Sequence, residues 1–546
     1  MNAAEQFVKC LESEGVRYIF GVPGEENEAL LFALEHSSIR FIPCRHEQGA
    51  AFIANVWGRL TGCAGVCLAT LGPGATNLVT GIADANLDKA PVVAITAQGS
   101  MDRLHHESHQ LLDVMNMFRP ITKWNGSITA PEVVTEICRK AFKEAEYEKP
   151  GATHIELPED IADMEMKALP TIDRRRVRRP GPDYKAINAT LEQLKKAQKP
   201  LIIAGNGAIR KLASKHLTRF VKRLNIPVVS TFMGKGAVSD KADQSLHTMG
   251  LGFKDYVLEA VEQADLILTV GYDVAEYPPK NWNPTGDKPV IHIDFTPSEV
   301  YTHYHPVNEV VGDISGALWE LNRQLSNDDL NFNDWYTPVR DRIREDLDSY
   351  TPDENDPFTV PSVLTQIRNI LPDDGLLLSD VGTHKMWIAR NYPTYEPNGC
   401  IISNGLASMG ISLPGAIAAK LIDPDRKVIA AMGDGGFLMN AQELETARRL
   451  GVGFVTLVFN DNDYGLISWK QIQSRQRSVS TEIGNPDFTA FAESFGIRGY
   501  RPENWDDFNS TLKNALDHNE LCLIEVPIDT SVNQELVEKL KTYWEQ

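Results

Sequence analysis

Residues 427–465 read KVIAAMGDGGFLMNAQELETARRLGVGFVTLVFNDNDYG, and this stretch decides the fold. An apolar run leads into a glycine-rich turn and a helical pattern, and a second apolar run ends in an acidic turn. We predict the helix from four apolar residues on one face and from the glycine that follows them, which is a good helix terminator. These four are Leu438, Leu444, Ala447 and Leu450. Since a helix that returns the chain to a neighbouring parallel strand is the usual right-handed crossover, the stretch predicts a parallel α/β unit.

Two aspartates mark the ends of these predicted strands. Asp434 lies in the first turn and Asp461 lies 27 residues later, in the second. Both turns fall at the carboxyl ends of neighbouring strands, where open α/β sheets bind ligands. Two carboxylates suit Mg²⁺ and leave positions for phosphate oxygens and water, while the surrounding glycines let backbone amides approach a diphosphate. These glycines are Gly433, Gly435 and Gly436.

Each half of this pattern has an ordinary alternative. Gly-Asp-Gly is a common turn, and the run Asn460–Asp463 could be a simple loop or the start of a calcium loop. A calcium loop counted from Asp461 would need Glu at its twelfth position, which is Ile472 instead. The joint pattern therefore favours a metal and diphosphate site.

The rest of the chain repeats the alternation of apolar runs and helical segments, which predicts parallel α/β layers throughout. Charged or proline-rich stretches near 165–185 and at 327–356 indicate connectors. We therefore predict three domains, at residues 1–168, 186–326 and 357–546. The predicted strands are Tyr18–Gly21, Gly65–Leu71, Pro91–Thr96, Pro200–Gly205, Ala264–Val270, Val290–Asp294, Gly375–Ser379, Lys427–Ala431, Phe454–Asn460 and Leu521–Val526.

The composition excludes several classes of function. A net charge of −20 argues against a nucleic-acid partner, and the basic run Asp173–Arg179 is interpreted as a solvated linker that packs on acidic neighbours. The chain lacks an apolar stretch of the ~20 residues needed to cross a bilayer. Its start, MNAAEQFVKCLESEG, is neither basic nor apolar, so no export signal is visible. Seven scattered cysteines are interpreted as free thiols, and we expect a cytoplasmic protein without a membrane partner.

A second candidate site lies near the amino terminus. The sequence Arg45-His46-Glu47-Gln48-Gly49-Ala50-Ala51 follows the apolar run Phe41–Pro43 and begins a helical pattern. On its own, Glu47 could be merely an acid that favours a helix N-terminus.

Together these motifs resemble the thiamine-diphosphate (ThDP) enzymes. The family's activating glutamate stands in an Arg-His-Glu-x-x-Ala-Ala setting, and its metal site has the Gly-Asp-Gly pattern followed by a second polar cluster. Three further motifs occur in the family's order, so that the resemblance covers essentially the whole chain. They are Gly21–Gly24 (GVPG), Ala69–Asn77 (ATLGPGATN) and Gly405–Gly410 (GLASMG).

The resemblance implies three doubly wound parallel-sheet domains of α/β class. Residues 1–168 would bind the cofactor's pyrimidine, 186–326 would form a central domain, and 357–546 would bind the diphosphate and Mg²⁺. In the family, the glutamate at the Glu47 position hydrogen-bonds the pyrimidine ring and favours the tautomer that removes the C2 proton. The carboxylates of Asp434 and Asp461 and the carbonyl of Asp463 would bind the metal, with Asp461 standing where many members carry Asn.

Other cofactor contacts also follow from the resemblance. Met409 would be the apolar wedge that keeps ThDP bent, although a methionine in another setting would be read as core. The complete set of expected cofactor-binding residues is Pro23, Gly24, Glu47, Pro73, Asn77, Val381, Gly382, Thr383, His384, Ala407, Met409, Gly433, Asp434, Gly435, Gly436, Tyr464, Gly465 and Leu466.

Within the family, the chain looks like the acetolactate synthase branch, closest to the catabolic, FAD-independent enzymes. Residues 271–282, GYDVAEYPPKNW, are close to theirs, and the Arg-Phe-Asp-Asp-Arg-like pattern of flavin-using synthases is absent. His109-Gln110 also matches the catabolic members, and Lys470 replaces a Trp that favours 2-oxobutyrate as acceptor. The resemblance therefore implies decarboxylation of pyruvate and transfer of the two-carbon unit to a second 2-oxo acid, giving 2-acetolactate and CO₂.

The catalytic residues implied are Glu47, His109 and Gln110, with Ile467, Lys470 and Gln471 binding substrate. We expect ThDP and Mg²⁺ as cofactors, with FAD not expected. We also expect a homodimer or homotetramer with its active sites at the subunit interface.

Alternatives remain open at this point. A simple 2-oxo acid decarboxylase would release an aldehyde, although such enzymes carry a His-His pair where this chain has His109-Gln110. A binding protein that has lost catalysis would show a damaged Glu47 or metal site, and neither motif is damaged. A dinucleotide site at Gly205–Arg210 fails at its third glycine position. The segment Glu25–Asn27 and Leu111 depart from the catabolic pattern, which leaves the precise 2-oxo acid substrate open.

Overall fold

Three six-stranded parallel β-sheets, each accompanied by helices, form the framework of the chain. The computed structural model describes residues 1–175, 177–210, 212–251, 254–325 and 330–545. The predicted α/β class with three parallel sheets is confirmed. Every predicted strand is present, with its ends within two residues of the prediction. Among the described residues, no helix combines the length and apolar character that a membrane crossing requires.

The first sheet has the strand order β2-β1-β3-β4-β6-β5. Its strands are β1 (Tyr18–Gly21), β2 (Arg40–Pro43), β3 (Gly65–Ala69), β4 (Val92–Gln98), β5 (Trp124–Ser127) and β6 (Ala152–Pro158). The accompanying helices are α1 (Ala3–Ser13), α2 (Glu28–Glu35), α3 (Glu47–Thr61), α4 (Gly72–Leu87), α5 (Val114–Phe118), α6 (Val134–Glu146) and α7 (Glu159–Asp163).

The second sheet has the order β12-β11-β10-β7-β8-β9, so that its first strand is central and the chain turns to opposite sides from it. Its strands are β7 (Pro200–Ala204), β8 (Val228–Ser230), β9 (Ser245–Thr248), β10 (Leu266–Val270), β11 (Val290–Asp294) and β12 (Pro306–Val311). The helices are α8 (Tyr184–Lys196), α9 (Ala213–Leu224), α10 (Val257–Gln263) and α11 (Ile314–Gln324), and α12 (Thr337–Asp348) follows in the connector.

The third sheet, of order β14-β13-β15-β16-β18-β17, repeats the topology of the first. Its strands are β13 (Leu376–Ser379), β14 (Cys400–Ile402), β15 (Val428–Gly433), β16 (Val455–Asn460), β17 (Arg498–Tyr500) and β18 (Cys522–Pro527). Its helices are α13 (Val360–Ile370), α14 (Thr383–Asn391), α15 (Ser412–Ile422), α16 (Asp434–Asn440), α17 (Glu443–Leu450), α18 (Gly465–Arg475), α19 (Phe488–Ser494), α20 (Trp505–Asp517) and α21 (Ser531–Glu545).

Continuous burial explains why these runs form central strands. All seven residues of β4 and all five of β7 are buried, which is typical of parallel sheets covered by helices on both faces. Each large aliphatic side chain buried in this way contributes about 1.5–3 kcal/mol relative to exposure. The apolar runs therefore fix the strands, and the polar residues that follow them lie at the carboxyl edges of the sheets.

The chain forms two compact units. The first comprises residues 1–178, 405–425 and 437–453, and the second comprises residues 179–404, 426–436 and 454–546. In the first unit, α15 packs against α3 although the two helices are far apart in sequence. In the second unit, one apolar core is shared by the second and third sheets. The domain boundaries 1–168, 186–326 and 357–546 remain predictions.

The prediction of a single helix after the glycine turn is wrong. The segment forms two helices, α16 and α17. Leu438 on α16 is exposed, whereas Leu444 and Ala447 on α17 are buried. Asn440 at the break donates a hydrogen bond from Nδ2 to the Gly410 carbonyl oxygen at 3.0 Å. This contact with a distant loop accompanies a break that the apolar spacing does not reveal. The predicted end is confirmed, because Gly451 caps α17 with a φ of 68°.

The basic run packs on acidic neighbours, as predicted. Arg174 pairs with Glu146 at 2.6 Å, and Arg179 pairs with Asp313 at 3.0 Å. Arg176 lies outside the described residues, as do residues 326–329 at the start of the second connector. All seven cysteines are free thiols, as expected.

Candidate functional site

Glu47 is the first residue of α3, at the turn after β2, as the sequence predicts. Its side chain is only 7% exposed. Asn77 on α4 donates a hydrogen bond from Nδ2 to Glu47 Oε2 at 2.9 Å. A Cβ placed on Gly74 would lie 3.2 Å from Glu47 Oε1, so that the glycine leaves this second oxygen room. One carboxylate oxygen is thus held by Asn77, and the other faces the glycine-rich start of α4.

Gln110 lies at the same glycine-rich turn. A Cβ on Gly72, whose φ is 48°, would come within 2.5 Å of the Gln110 carbonyl oxygen. Gln110 itself has a φ of 58°, a left-handed conformation that costs a non-glycine residue about 1–2 kcal/mol. His109 and Gln110 are both exposed. The structure therefore brings Gln110 of the predicted catalytic pair to the turn that also faces Glu47.

The loop that carries this pair is braced by Arg103. Its guanidinium forms an ion pair with Glu159 at 3.1 Å and donates two hydrogen bonds to Ser108 Oγ at 3.2 Å. The Glu159 carboxylate also accepts a hydrogen bond from the Ser100 backbone amide at 3.0 Å. These bonds tie both ends of the loop to the start of α7.

The Gly-Val-Pro-Gly turn is held by the residues that departed from the family pattern. Gly24 N–H donates to Asn27 Oδ1 at 3.0 Å, and Thr70 Oγ1 donates to Glu26 Oε2 at 2.5 Å. Pro23 and Gly24 line a cleft of about 620 Å³. Glu26 and Asn27 therefore position the turn expected to contact the cofactor.

Asp434 joins the turns after two neighbouring strands. It begins α16 directly after β15 and is 1% exposed. Its Oδ1 accepts a hydrogen bond from Gly435 N–H at 2.8 Å. Its Oδ2 accepts hydrogen bonds from Asn462 N–H at 2.8 Å and from Asn485 Nδ2 at 2.6 Å. Burial raises the pKa of this carboxyl.

Asp461 lies close enough to Asp434 for the two charges to interact. Burial first, and repulsion from Asp434 second, raise the pKa of Asp461 to about 7. Asp463 N–H donates to Asp461 Oδ1 at 3.3 Å, so that the acidic turn folds back on itself. Within the described residues, no three His, Cys, Asp or Glu side chains form a metal site by themselves. The two carboxylates therefore suit a cation whose remaining ligands come from backbone oxygens and a bound anion.

Unpartnered polar atoms converge on the same turns. In the part of the chain that the structure describes, Thr383 Oγ1, His384 Nε2 and Asp463 Oδ1 are buried and have no hydrogen-bond partner. A Cβ on Gly465 would lie 3.0 Å from Thr383 Oγ1, and one on Gly435 would lie 2.8 Å from the Tyr464 ring. Such orphaned groups in a glycine cradle fit a phosphorylated ligand with its metal.

His384 is neutral in this setting. Its ring is fully buried beside Phe459, with ring centroids 5.7 Å apart, and burial lowers its pKa to about 3. A ligand at this ring would therefore meet a hydrogen-bonding group rather than a positive charge.

The predicted site residues fall into two groups, one in each compact unit. The first unit holds Pro23, Gly24, Glu47, Pro73, Asn77, His109, Gln110, Ala407 and Met409. The second unit holds Val381, Gly382, Thr383, His384, Gly433, Asp434, Gly435, Gly436, Asp461, Asp463, Tyr464, Gly465, Leu466, Ile467, Lys470 and Gln471. Ile467 and Lys470 are exposed on α18.

Asn485 is a site residue that the sequence analysis missed. Besides Asp434, its Nδ2 contacts Asn460 Oδ1 and Asn462 Oδ1, each at 3.0 Å. It lies in a loop well beyond the acidic turn, within Asn485-Pro486-Asp487, a pattern that by itself predicts only a turn.

The second sheet presents a separate buried carboxyl at its switch point, between β7 and β10. Glu276 Oε1 accepts a hydrogen bond from Asn206 N–H at 3.0 Å, and Oε2 accepts one from Met233 N–H at 3.3 Å and another from the Thr231 hydroxyl. Burial raises the pKa of Glu276 to about 7. Open α/β sheets bind dinucleotide phosphates at this place, so Glu276 occupies amides that such a phosphate would use.

Comparison with known proteins identifies three matching family models. Residues 1–117 match the thiamine pyrophosphate enzyme N-terminal TPP binding domain, residues 187–321 the central domain, and residues 380–526 the C-terminal TPP binding domain. Each match falls on a different one of the three sheets, with β1–β4 in the first, β7–β12 in the second and β14–β17 and most of β18 in the third.

Curated relatives are similar over almost the whole chain. The acetolactate synthase of Bacillus subtilis (strain 168) is 35% identical over 97% of this chain and 94% of its own. The catabolic acetolactate synthase of Raoultella terrigena is 34% identical, over 99% and 97% respectively. The large subunit of acetolactate synthase isozyme 2 of Escherichia coli (strain K12) is 32% identical, over 99% and 100%.

The raised pKa of Glu276 predicts a pH effect on stability. Its carboxyl loses its proton at a higher pH in the folded chain than the usual value of 4.5, so that folding favours the protonated form. The stability it contributes is present below pH 4.5 and is lost as the pH rises through about 7. Glutamine cannot ionise, so Glu276→Gln lacks this pH-dependent loss. The Tm of Glu276→Gln minus the Tm of the wild type should therefore increase as the pH rises from 4.5 to about 7. Thermal unfolding at several pH values measures the difference, and a constant difference would contradict the assignment.

Proposed function

Because the chain belongs to the thiamine pyrophosphate enzyme family, we propose that it makes 2-acetolactate and CO₂ from two molecules of pyruvate. The observation that carries the proposal is that both groups of site residues, called half-sites below, are intact. In the first unit Asn77 holds Glu47, and in the second unit Asp434 bridges two strand ends. Full-length similarity to acetolactate synthases, one of them catabolic, supports this reaction within the family.

The second unit would hold ThDP through Mg²⁺. The carboxylates of Asp434 and Asp461 and the carbonyl of Asp463 would be the protein's ligands to the metal. Thr383 Oγ1 and His384 Nε2, which lack partners within the described residues, would bind diphosphate oxygens. When bound, ThDP supplies an electron sink for the pair released as CO₂ leaves.

Glu47 would hold the pyrimidine ring of that cofactor by a hydrogen bond. Asn77 fixes Glu47 Oε2, so that Oε1 is the oxygen free to face the ring nitrogen and to exchange a proton with it. The buried position of the carboxylate keeps water from competing for this bond.

The loop around Gln110 favours carbon–carbon bond formation over aldehyde release. An amide side chain donates hydrogen bonds to the carbonyl or carboxylate of a second 2-oxo acid, but it does not act as an acid at neutral pH. An adjacent second histidine would supply the proton that releases an aldehyde, and Gln110 stands there instead. The exposed ammonium of Lys470 on α18 would attract the acceptor's carboxylate.

The reaction would proceed without FAD. Glu276 supports this view, because its carboxyl group already accepts the Asn206 and Met233 amides at the switch point of the second sheet. A flavin dinucleotide would have to displace a buried side chain from these donors.

The enzyme would act as a cytoplasmic homodimer or homotetramer. Free thiols support a reducing compartment. The two groups of site residues would be joined between subunits, so that Glu47 of one chain would serve the cofactor held by Asp434 of another. Leu438 and Met439 on α16 are exposed apolar side chains, which supports a partner at this surface.

Replacing Glu47 by Gln should block activation of the cofactor. We expect Glu47→Gln to slow exchange of the C2 proton of bound ThDP for deuterium by at least about a hundredfold, as for loss of a general acid–base. Acid-quenched samples read by NMR measure the rate. Glu136→Gln, a change at an exposed glutamate on α6, is the matched control with an unchanged rate. A folded Glu47→Gln variant that exchanges its cofactor proton at the wild-type rate would exclude the role given to Glu47.

Product analysis tests the proposed reaction. The purified enzyme, supplied with ThDP, Mg²⁺ and pyruvate, should release one CO₂ for each acetolactate formed, and adding FAD should leave the rate unchanged. When pyruvate and 2-oxobutyrate are supplied together, acetolactate should remain the main product. Acetaldehyde as the main product would establish the decarboxylase alternative instead. Dependence of the rate on FAD would contradict the proposal that Glu276 occupies the amides a flavin dinucleotide would need.

A further inference from the structure

We infer that Glu443 is a positioning residue for Glu47, because it holds the backbone from which the Glu47 side chain projects. The inference rests on the role proposed for Glu47 in activating the cofactor. Glu443 lies 396 positions later in the chain, at the start of α17, and was not among the predicted site residues.

The Glu443 carboxylate is fully buried and accepts hydrogen bonds on both oxygens. Oε1 accepts the backbone N–H groups of Arg45 and His46, each at 3.0 Å, and Oε2 accepts the Thr446 hydroxyl at 2.6 Å. Arg45 and His46 are the two residues directly before Glu47. One carboxylate thus clamps the strand-to-helix turn on which Glu47 stands.

Gly49 shows how closely this carboxylate fits. A Cβ on Gly49, in the first turn of α3, would lie only 2.6 Å from Glu443 Oε1. Real Cβ atoms do not approach an oxygen this closely, so the carboxylate can reach the turn only because residue 49 has no side chain. His46 Nδ1 also accepts the Gln48 N–H at 3.1 Å, which caps the same turn from within.

The bonds to Glu443 are suited to fixing a position. A charged acceptor makes shorter and stronger hydrogen bonds to amides than a neutral one, and a buried one is not exchanged for water. The break between α16 and α17 places Glu443 in the first turn of its own helix, where it reaches across to the first turn of α3. Asn77 holds the carboxylate of Glu47, and Glu443 holds the backbone amides of the two residues before it.

A positioning role predicts an effect on the cofactor that a purely structural role would not produce. A misplacement of about 1 Å can cost around a hundredfold in rate, so loss of the clamp should slow C2 proton exchange in folded, cofactor-loaded protein. Affinity for ThDP and Mg²⁺ should change little, since Glu443 touches neither proposed binding group of the second unit.

The experiment compares Glu443→Ala, Glu443→Gln and Gly49→Ala with Glu136→Ala, a change at an exposed glutamate on α6. We expect Glu443→Ala and Gly49→Ala to slow C2 proton exchange by about tenfold or more. Glu443→Gln, whose amide oxygen still accepts the two N–H groups, should lie between Glu443→Ala and the wild type. Glu136→Ala should match the wild type.

A second readout needs no cofactor. In cofactor-free protein, amide hydrogen exchange of residues 45–49 should be faster in Glu443→Ala than in the wild type, because the Arg45 and His46 amides lose their acceptor. If Glu443→Ala does not fold, Gly49→Ala and Glu443→Gln carry the test. Folded variants with wild-type C2 exchange would overturn the inference.

Failure of this inference can be told from failure of the proposed function. If Glu47→Gln exchanges the C2 proton slowly while Glu443→Ala and Gly49→Ala exchange it normally, only the positioning role is lost. If Glu47→Gln itself exchanges normally, the role of Glu47 fails and the positioning role fails with it.

Discussion

The hydrogen bond from the Asn462 backbone amide to the Asp434 carboxylate joins the ends of two adjacent parallel strands, and the proposed metal and diphosphate site depends on it. Parallel strands deliver their carboxyl ends to one edge of a sheet, but the turns that follow are free to diverge. Asp434 holds these turns together, because it accepts Asn462 and Asn485 on one oxygen and Gly435 on the other. Burial first, and the nearby Asp434 carboxylate second, raise the pKa of Asp461 in the second of these turns.

The same device recurs at two other places in the chain. Glu276 accepts the amides at the switch point of the second sheet, and Glu443 accepts the amides before Glu47. A buried carboxylate without such donors would cost several kcal/mol, so each of these acids is stable only where backbone N–H groups converge on it. Helix starts and strand ends provide such groups, and these are also the places where a phosphate or a reacting group would bind.

Much of the fold could be predicted because parallel strands are continuous apolar runs. Glu47 and Asp434 could be placed because each lies in the turn that follows such a run, and they stand at the starts of α3 and α16. The break in the helix after Asp434, the bond from Asn485 and the clamp by Glu443 could not be predicted. Each depends on a hydrogen-bond partner that is far away in sequence. A local sequence pattern does not indicate which distant amide or carbonyl will lie next to a given residue in the folded chain. The roles of Glu26 and Asn27 were missed for the same reason, because Thr70 and Gly24 become their partners only in the folded turn.

The central claim is that Glu47 of one subunit and Asp434 of another serve the same cofactor, and subunit mixing tests it most directly. Glu47→Gln and Asp434→Asn each inactivate one half-site, so each homodimer should be nearly inactive. When equal amounts are refolded or expressed together, half of the dimers carry one of each chain, and one of their two sites has both native residues. The account predicts recovery of about a quarter of the wild-type activity, as two-fold symmetry requires. Mixed dimers without any recovered activity would show that each active site is built within a single chain and would contradict the account.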